Sequence, residues 1–158
     1  MQTRREMLTR SAHLAGMLVT LGLLPNVAAA AAADAPGWSK TAFDAKTMAD
    51  LMKALGASAP AASTDVSITG PDIAENGAVV PVGAATRLPG VKRMLLLVEK
   101  NPAMMSAMFD VTDAVVPSFS TRVKMGESSN VFAVAMMNDG RVLYAAKEVK
   151  VTLGGCGG

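Results

Sequence analysis

Histidine is all but missing: the only one, His13, lies in an apolar N-terminal stretch that reads as part of an export signal. A chain that loses this stretch has no imidazole. It cannot assemble its own Ser-His-Asp or Cys-His pair, bind zinc through histidine, or supply an axial histidine to haem. Cysteine is as scarce. Cys156 is the only one, so no internal disulfide can form. Aromatic residues make up 4% of the chain, and no tract of Lys and Arg accompanies them, which gives no support for nucleic-acid binding. No apolar run reaches the roughly 20 residues needed to span a bilayer, and no membrane partner is expected.

The N-terminus is read as a cleaved export signal over residues 1–33. "TRREMLTR" supplies the basic region, "AHLAGMLVTLGLL" the apolar region and "NVAAAAAADAPG" the small-residue cleavage region. Arg4-Arg5 after Thr3, followed by Met7-Leu8, resembles a twin-arginine signal, although Met7 replaces the commoner aromatic and Thr9 the commoner lysine. An ordinary secretory signal is the alternative. Removing Arg4, Arg5 and Arg10 from fifteen basic residues and Glu6 from thirteen acidic ones leaves twelve of each. The formal charge of +2 therefore belongs to the signal.

Residues 34–63 read as one short helix and a linker. In "SKTAFDAKTMADLMKALG", Met48, Leu51, Met52 and Leu55 fall at helical spacing, with Ser39 or Thr41 as start and Gly56 as stop. "ASAPAAST" is a linker by composition. Over residues 64–153 the period becomes two. Pro117, Phe119, Thr121, Val123 and Met125 alternate with Ser118, Ser120, Arg122 and Lys124; Val149, Val151 and Leu153 alternate with Glu148, Lys150 and Thr152. Turn signals at Asn76-Gly77, Leu88-Pro89-Gly90, Asn101-Pro102 and Asp139-Gly140 separate about seven strands, near 65–70, 77–84, 91–99, 103–112, 116–125, 130–138 and 141–153. With no helices between strands to make parallel crossovers, the expected fold is all-β: an immunoglobulin-like sandwich of about seven antiparallel strands.

Met94 to Val98 breaks the alternation as an unbroken apolar run, so both faces of that strand should be covered. A central core strand or a face under a partner subunit would each explain it. Nine methionines lie beyond residue 34, among them Met104, Met105, Met108, Met136 and Met137; they read as core filling, as an adaptable contact surface, or as a soft-metal site for Cu(I).

The chain closes on "GGCGG", residues 154–158, expected to be a flexible swinging arm. Gly154, Gly155, Gly157 and Gly158 carry no side chains around Cys156 and leave the backbone free. A structural cysteine is usually buried, and one on such a leash is not. From Leu153 to Cys156 is three steps, roughly 10 Å of extended chain at ~3.3–3.6 Å per residue, enough to thread a thiol into a slot on another protein. Ordering the four glycines costs about 1–2 kcal/mol each, which favours brief visits. Nothing local lowers the thiol pKa from its reference value of about 8.5, and the nearby terminal carboxylate opposes thiolate formation. Activation would then come from the partner's active site. The pattern describes a substrate-bearing arm and not an enzyme.

The terminal "GGCGG", with "PDIAENGAVVPV", "VEKNP", "KMGESS" and "VKVT", resembles the SoxY family, the sulfur-carrier subunit of the bacterial periplasmic thiosulfate-oxidising system. The resemblance runs over nearly the whole chain beyond the signal. It implies a periplasmic covalent carrier, in complex with a small SoxZ-type subunit, with Cys156 as the attachment point and the four glycines as its arm. It implies that a haem c-containing enzyme joins thiosulfate to the cysteine and a hydrolase releases sulfate. In many systems a sulfur dehydrogenase then oxidises the remaining sulfane. No cofactor is implied for the chain itself, and no chemistry attaches to "KMGESS", whose bland reading is a turn. Other readings stay open: a C-terminal thiocarboxylate carrier ending Gly157-Gly158, a disulfide-linked dimer or interaction subunit through Cys156, and copper handling through the methionines.

Overall fold

A computed structural model describes residues 39–153; the expectations for the signal and for Gly154 to Gly158 fall outside them. Two short helices, α1 (Lys40–Phe43) and α2 (Met48–Ala54), precede nine strands. These are β1 (Ala61–Ala62), β2 (Val66–Thr69), β3 (Ile73–Asn76), β4 (Val80–Thr86), β5 (Val91–Val98), β6 (Met105–Asp110), β7 (Ser118–Val123), β8 (Ser129–Met137) and β9 (Val142–Leu153).

The larger sheet runs β1-β9-β8-β5-β6, with β3 also on β9, and the smaller runs β2-β4-β7. Their facing sides enclose Val66, Val80, Val82, Met94, Leu96, Val98, Val123, Met125, Val131 and Val149 in one apolar core. Phe109 of β6 and Phe119 of β7 stack with ring centroids 4.3 Å apart, closing one flank between the sheets. The result is the expected immunoglobulin-like sandwich. Every strand range in the sequence reading overlaps an observed strand, with β4 running two residues past its expected end at 84 and β8 starting one residue before 130, and β1 and β3 are additional. Both additions pair with β9 in parallel, Ala61 opposite Leu143 and Ile73 opposite Lys150. They are short segments that the chain lays against β9 as it passes between sheets.

The helical segment is broken where one helix was expected. Ser39 caps α1 by accepting the Ala42 N–H, and Thr47 restarts the chain as α2 by accepting the Asp50 N–H. Between them the Ala45 carbonyl turns away to accept the Met104 N–H at 3.0 Å. Gly56, at φ +62, ends α2 as expected, with the Ala57 N–H reaching back to the Met52 carbonyl at 2.8 Å.

This helical layer accounts for the unbroken run in β5. Met94, Leu96 and Val98 face the inter-sheet core, while Leu95 and Leu97 point the other way, into a second cluster with Ala42, Leu51, Met52 and Met104. The cover over the second face is therefore the chain's own N-terminal segment. The alternative of a partner subunit on that face is corrected, and the strand no longer argues for one.

The Asp139-Gly140 signal makes the β8–β9 hairpin, with Gly140 at φ +87 and the Arg141 N–H on the Asp139 carboxylate at 3.0 Å. Asn76-Gly77 makes a turn, but between sheets: β3 lies on β9, and β4 belongs to the smaller sheet.

Candidate functional site

Cys156, Gly154, Gly155, Gly157 and Gly158 lie outside the described residues, so the structure bears on the site through the strand that leads to it. β9 is twelve residues long and outruns its neighbour: the last residue paired with β8 is Val149, opposite Ser129. From Lys150 to Leu153 one edge of β9 has lost its strand. The strand end is held in two ways, one on each edge.

On that open edge the Ser128 hydroxyl accepts the Val151 N–H at 2.9 Å and also points at the Val151 carbonyl at 3.5 Å. One side chain thus serves both backbone groups, as a neighbouring strand would. On the other edge β3 pairs in parallel, placing Ala74 against Val151 and Asn76 against Leu153. The Asp72 carbonyl accepts the Lys150 N–H at 2.9 Å, and the Gly77 N–H donates to the Leu153 carbonyl at 2.8 Å. Gly77 in turn accepts the Met125 N–H at 2.7 Å.

Lys124 to Ser129, the "KMGESS" stretch, connects β7 to β8 and is braced on several sides. Met125 is fully buried, Asn101 Nδ2 donates to the Lys124 carbonyl at 2.7 Å, and the Ser129 hydroxyl accepts the Lys100 N–H at 3.1 Å. It is a turn, as its bland reading had it, and it also reaches the end of β9 through both Met125–Gly77 and Ser128. The sequence reading assigned Ser128 and Gly77 nothing at the arm root. The available signal was a serine pair following a glycine turn, and it does not identify a partner 23 residues away.

Leu153 continues the alternation but not the burial. Val149 is buried, Val151 partly so, and Leu153 is 64% exposed. Ile73 on β3 and Val79 in the turn after it are also exposed, so apolar side chains occur on the segments around the point where the chain leaves the sheet.

The largest of the described clefts, about 650 Å³, is lined by Thr64, Asp65, Ser67, Arg87, Leu88 and Val116 among others. It sits at the Thr86 end of β4. The arm root lies at the other end, where Val80 pairs with Val123 and Met125 joins Gly77. The intervening strand is roughly 20 Å long at ~3.3 Å per residue. Of the nine methionines beyond residue 34, Met52, Met94, Met104, Met105, Met125, Met136 and Met137 are buried in the two apolar clusters, while Met48 and Met108 are partly exposed and Met48 lines a cleft of about 330 Å³ with Met104, Phe132 and Tyr144. No group of three or more Asp, Glu, His or Cys side chains capable of holding a metal occurs among the described residues.

A family model described as "Sulfur oxidation protein SoxY" matches residues 51–156, so the matched stretch ends on Cys156. Among solved structures, the sulfur carrier protein SoxY from Chlorobium limicola f thiosulfatophilum is 35% identical, with a TM-score of 0.61; the alignment covers 68% of this chain and 97% of that one. A superoxide reductase (neelaredoxin) from Ignicoccus hospitalis is 18% identical over 54% of this chain and 78% of its own, with a TM-score of 0.49, a likeness that carries no functional argument. A search of curated proteins found no significant match. With two thirds of its length matched by the family model and a solved SoxY at 35% identity, the chain belongs to the SoxY family of sulfur oxidation proteins.

Proposed function

We propose that this chain is a covalent sulfur carrier of thiosulfate oxidation, bearing its cargo on Cys156 and acted on by other proteins. The observation that carries the reading is the family match ending on the cysteine, three residues beyond the last residue of β9. Its similarity to a structure described as a sulfur carrier supports the same role. The distance between arm root and main cleft favours a substrate-bearing subunit over an enzyme that works on its own cysteine.

In this reading, loading forms a bond between the Cys156 sulfur and the sulfane sulfur of thiosulfate. The thiol proton leaves, and two electrons pass to a haem c-containing partner enzyme. Hydrolysis then splits the sulfur–sulfonate bond: water supplies the oxygen that turns the sulfonate into sulfate, and the sulfane sulfur stays on Cys156 as a persulfide. A sulfur dehydrogenase, where present, oxidises that sulfur in place. A SoxZ-type subunit completes a heterodimer, and Gly154, Gly155, Gly157 and Gly158 give the arm its freedom. The chain acts in the periplasm, exported through the twin-arginine-type signal at Arg4-Arg5, in company with a partner that lacks a signal of its own.

The test is Cys156→Ser in cells oxidising thiosulfate. The substituted chain is expected to accumulate, keep its fold and bind its partner, while thiosulfate oxidation falls to the level of cells without the subunit. Undiminished oxidation would contradict the reading.

A further inference from the structure

We infer that Ser128 is a positioning residue that fixes where the arm begins, and with it the reach of Cys156. The inference builds on the carrier reading, because reach matters only if other proteins work on the cysteine. β9 passes the end of β8 by four residues, and an unsupported strand end frays. Here Val151 is held on one edge by the Ser128 hydroxyl at 2.9 Å and on the other by β3, with Gly77 closing on Leu153. Ser128 itself cannot drift, because Met125 is buried and Lys124 and Ser129 are hydrogen-bonded to Asn101 and Lys100.

The consequence is geometric. With the anchor closed, Cys156 is three steps from the sheet and reaches roughly 10 Å; with the strand open back to Lys150 it is six steps away and reaches roughly 20 Å. A longer tether samples a larger volume and presents its end to a partner's slot less often. Ser128 on one edge, together with β3 and Gly77 on the other, therefore sets the length of tether that partner enzymes meet, without touching the sulfur.

The anchor can be read by distance. In the full chain, nitroxides are placed on Cys156 and on a Lys92→Cys substitution at an exposed position of β5. Ser128→Ala should broaden the distance distribution and shift it outward, and speed amide exchange at Val151 roughly five- to tenfold, the equivalent of one lost hydrogen bond. Ser128→Thr, which keeps the hydroxyl, should restore both. Val66→Ala, a core cavity opposite Thr86 at the other pole of the sandwich, should lower Tm without broadening the distribution. An unchanged distribution and exchange rate in Ser128→Ala, or equal broadening in Val66→Ala, would overturn the inference. Wild-type protein gives a second test: the Val151 amide should be protected to a degree comparable with Val149, and exchange at the rate of an open peptide would also overturn it. Sulfur loading is read separately by mass, so the anchor and the carrier role can fail independently.

Discussion

Lys147 shows how a single side chain is used twice. Its strand partner Val131 is buried in the inter-sheet core, yet the Lys147 ammonium reaches the Gly70 carbonyl at 2.7 Å and the Asp72 carboxylate at 2.9 Å. It thereby ties β9 to the segment between β2 and β3, just before β3 takes hold of the arm root. The hydrogen bond from Lys147, and then its charge, hold the Asp72 carboxyl below the ordinary carboxylate value. The sign follows from that direction. The stabilisation is fully present above the unfolded carboxylate range and fades as pH falls through the depressed folded value. Lys147→Met should return Asp72 to an ordinary titration and remove that fade, as followed by carboxyl NMR. An Asp72 titration unchanged by the substitution would refute the coupling. Asp72 is 91% exposed at its side chain, so the effect on global stability is small.

β5 is the element on which the two clusters meet. Leu96 and Leu95 are both fully buried, but Leu96 faces the sandwich core and Leu95 the helical layer. Leu96→Ala and Leu95→Ala should each cost about 2–5 kcal/mol in urea unfolding. Leu51→Ala, on α2, should be non-additive with Leu95→Ala, since both line the same cluster, and additive with Leu96→Ala. Equal coupling of Leu51 to both positions would mean that the faces are not independent.

Element by element, the sequence was most legible where local chemistry dictates the outcome. The Asp139-Gly140 hairpin, the Gly56 stop and the period-two strand at Ser118–Val123 needed only residues a few positions apart. β3 was illegible because only Ala74 of its four residues is buried, leaving no alternation to read, and its partner lies more than 70 positions away. The run in β5 announced two covered faces, but an apolar pattern does not identify what covers them. The helix break depended on the Ala45 carbonyl meeting Met104, a contact made only in the folded chain. At the candidate site, glycine spacing is the ground for proposing an arm, whose residues lie outside the described ones, whereas the Ser128 contact with β9 was illegible: a serine in a turn has many alternative partners.

Over the whole molecule, the sandwich gathers its strand ends at two poles. One carries Thr86, Arg87, Leu88 and Val116 around the main cleft; the other releases the chain at Leu153 beside Gly77 and Ser128. The end of β9 is thus held at the pole opposite that cleft, with its last residue Leu153 exposed. The claim that sulfur travels on that cysteine is tested most directly by the intact mass of the protein isolated from thiosulfate-grown cells, measured before and after reduction. The account predicts added mass at Cys156, matching thiosulfonate or sulfane adducts, that reductant removes and that Cys156→Ser never acquires. A chain of unmodified mass during active thiosulfate oxidation, or the same adducts on Cys156→Ser, would contradict it.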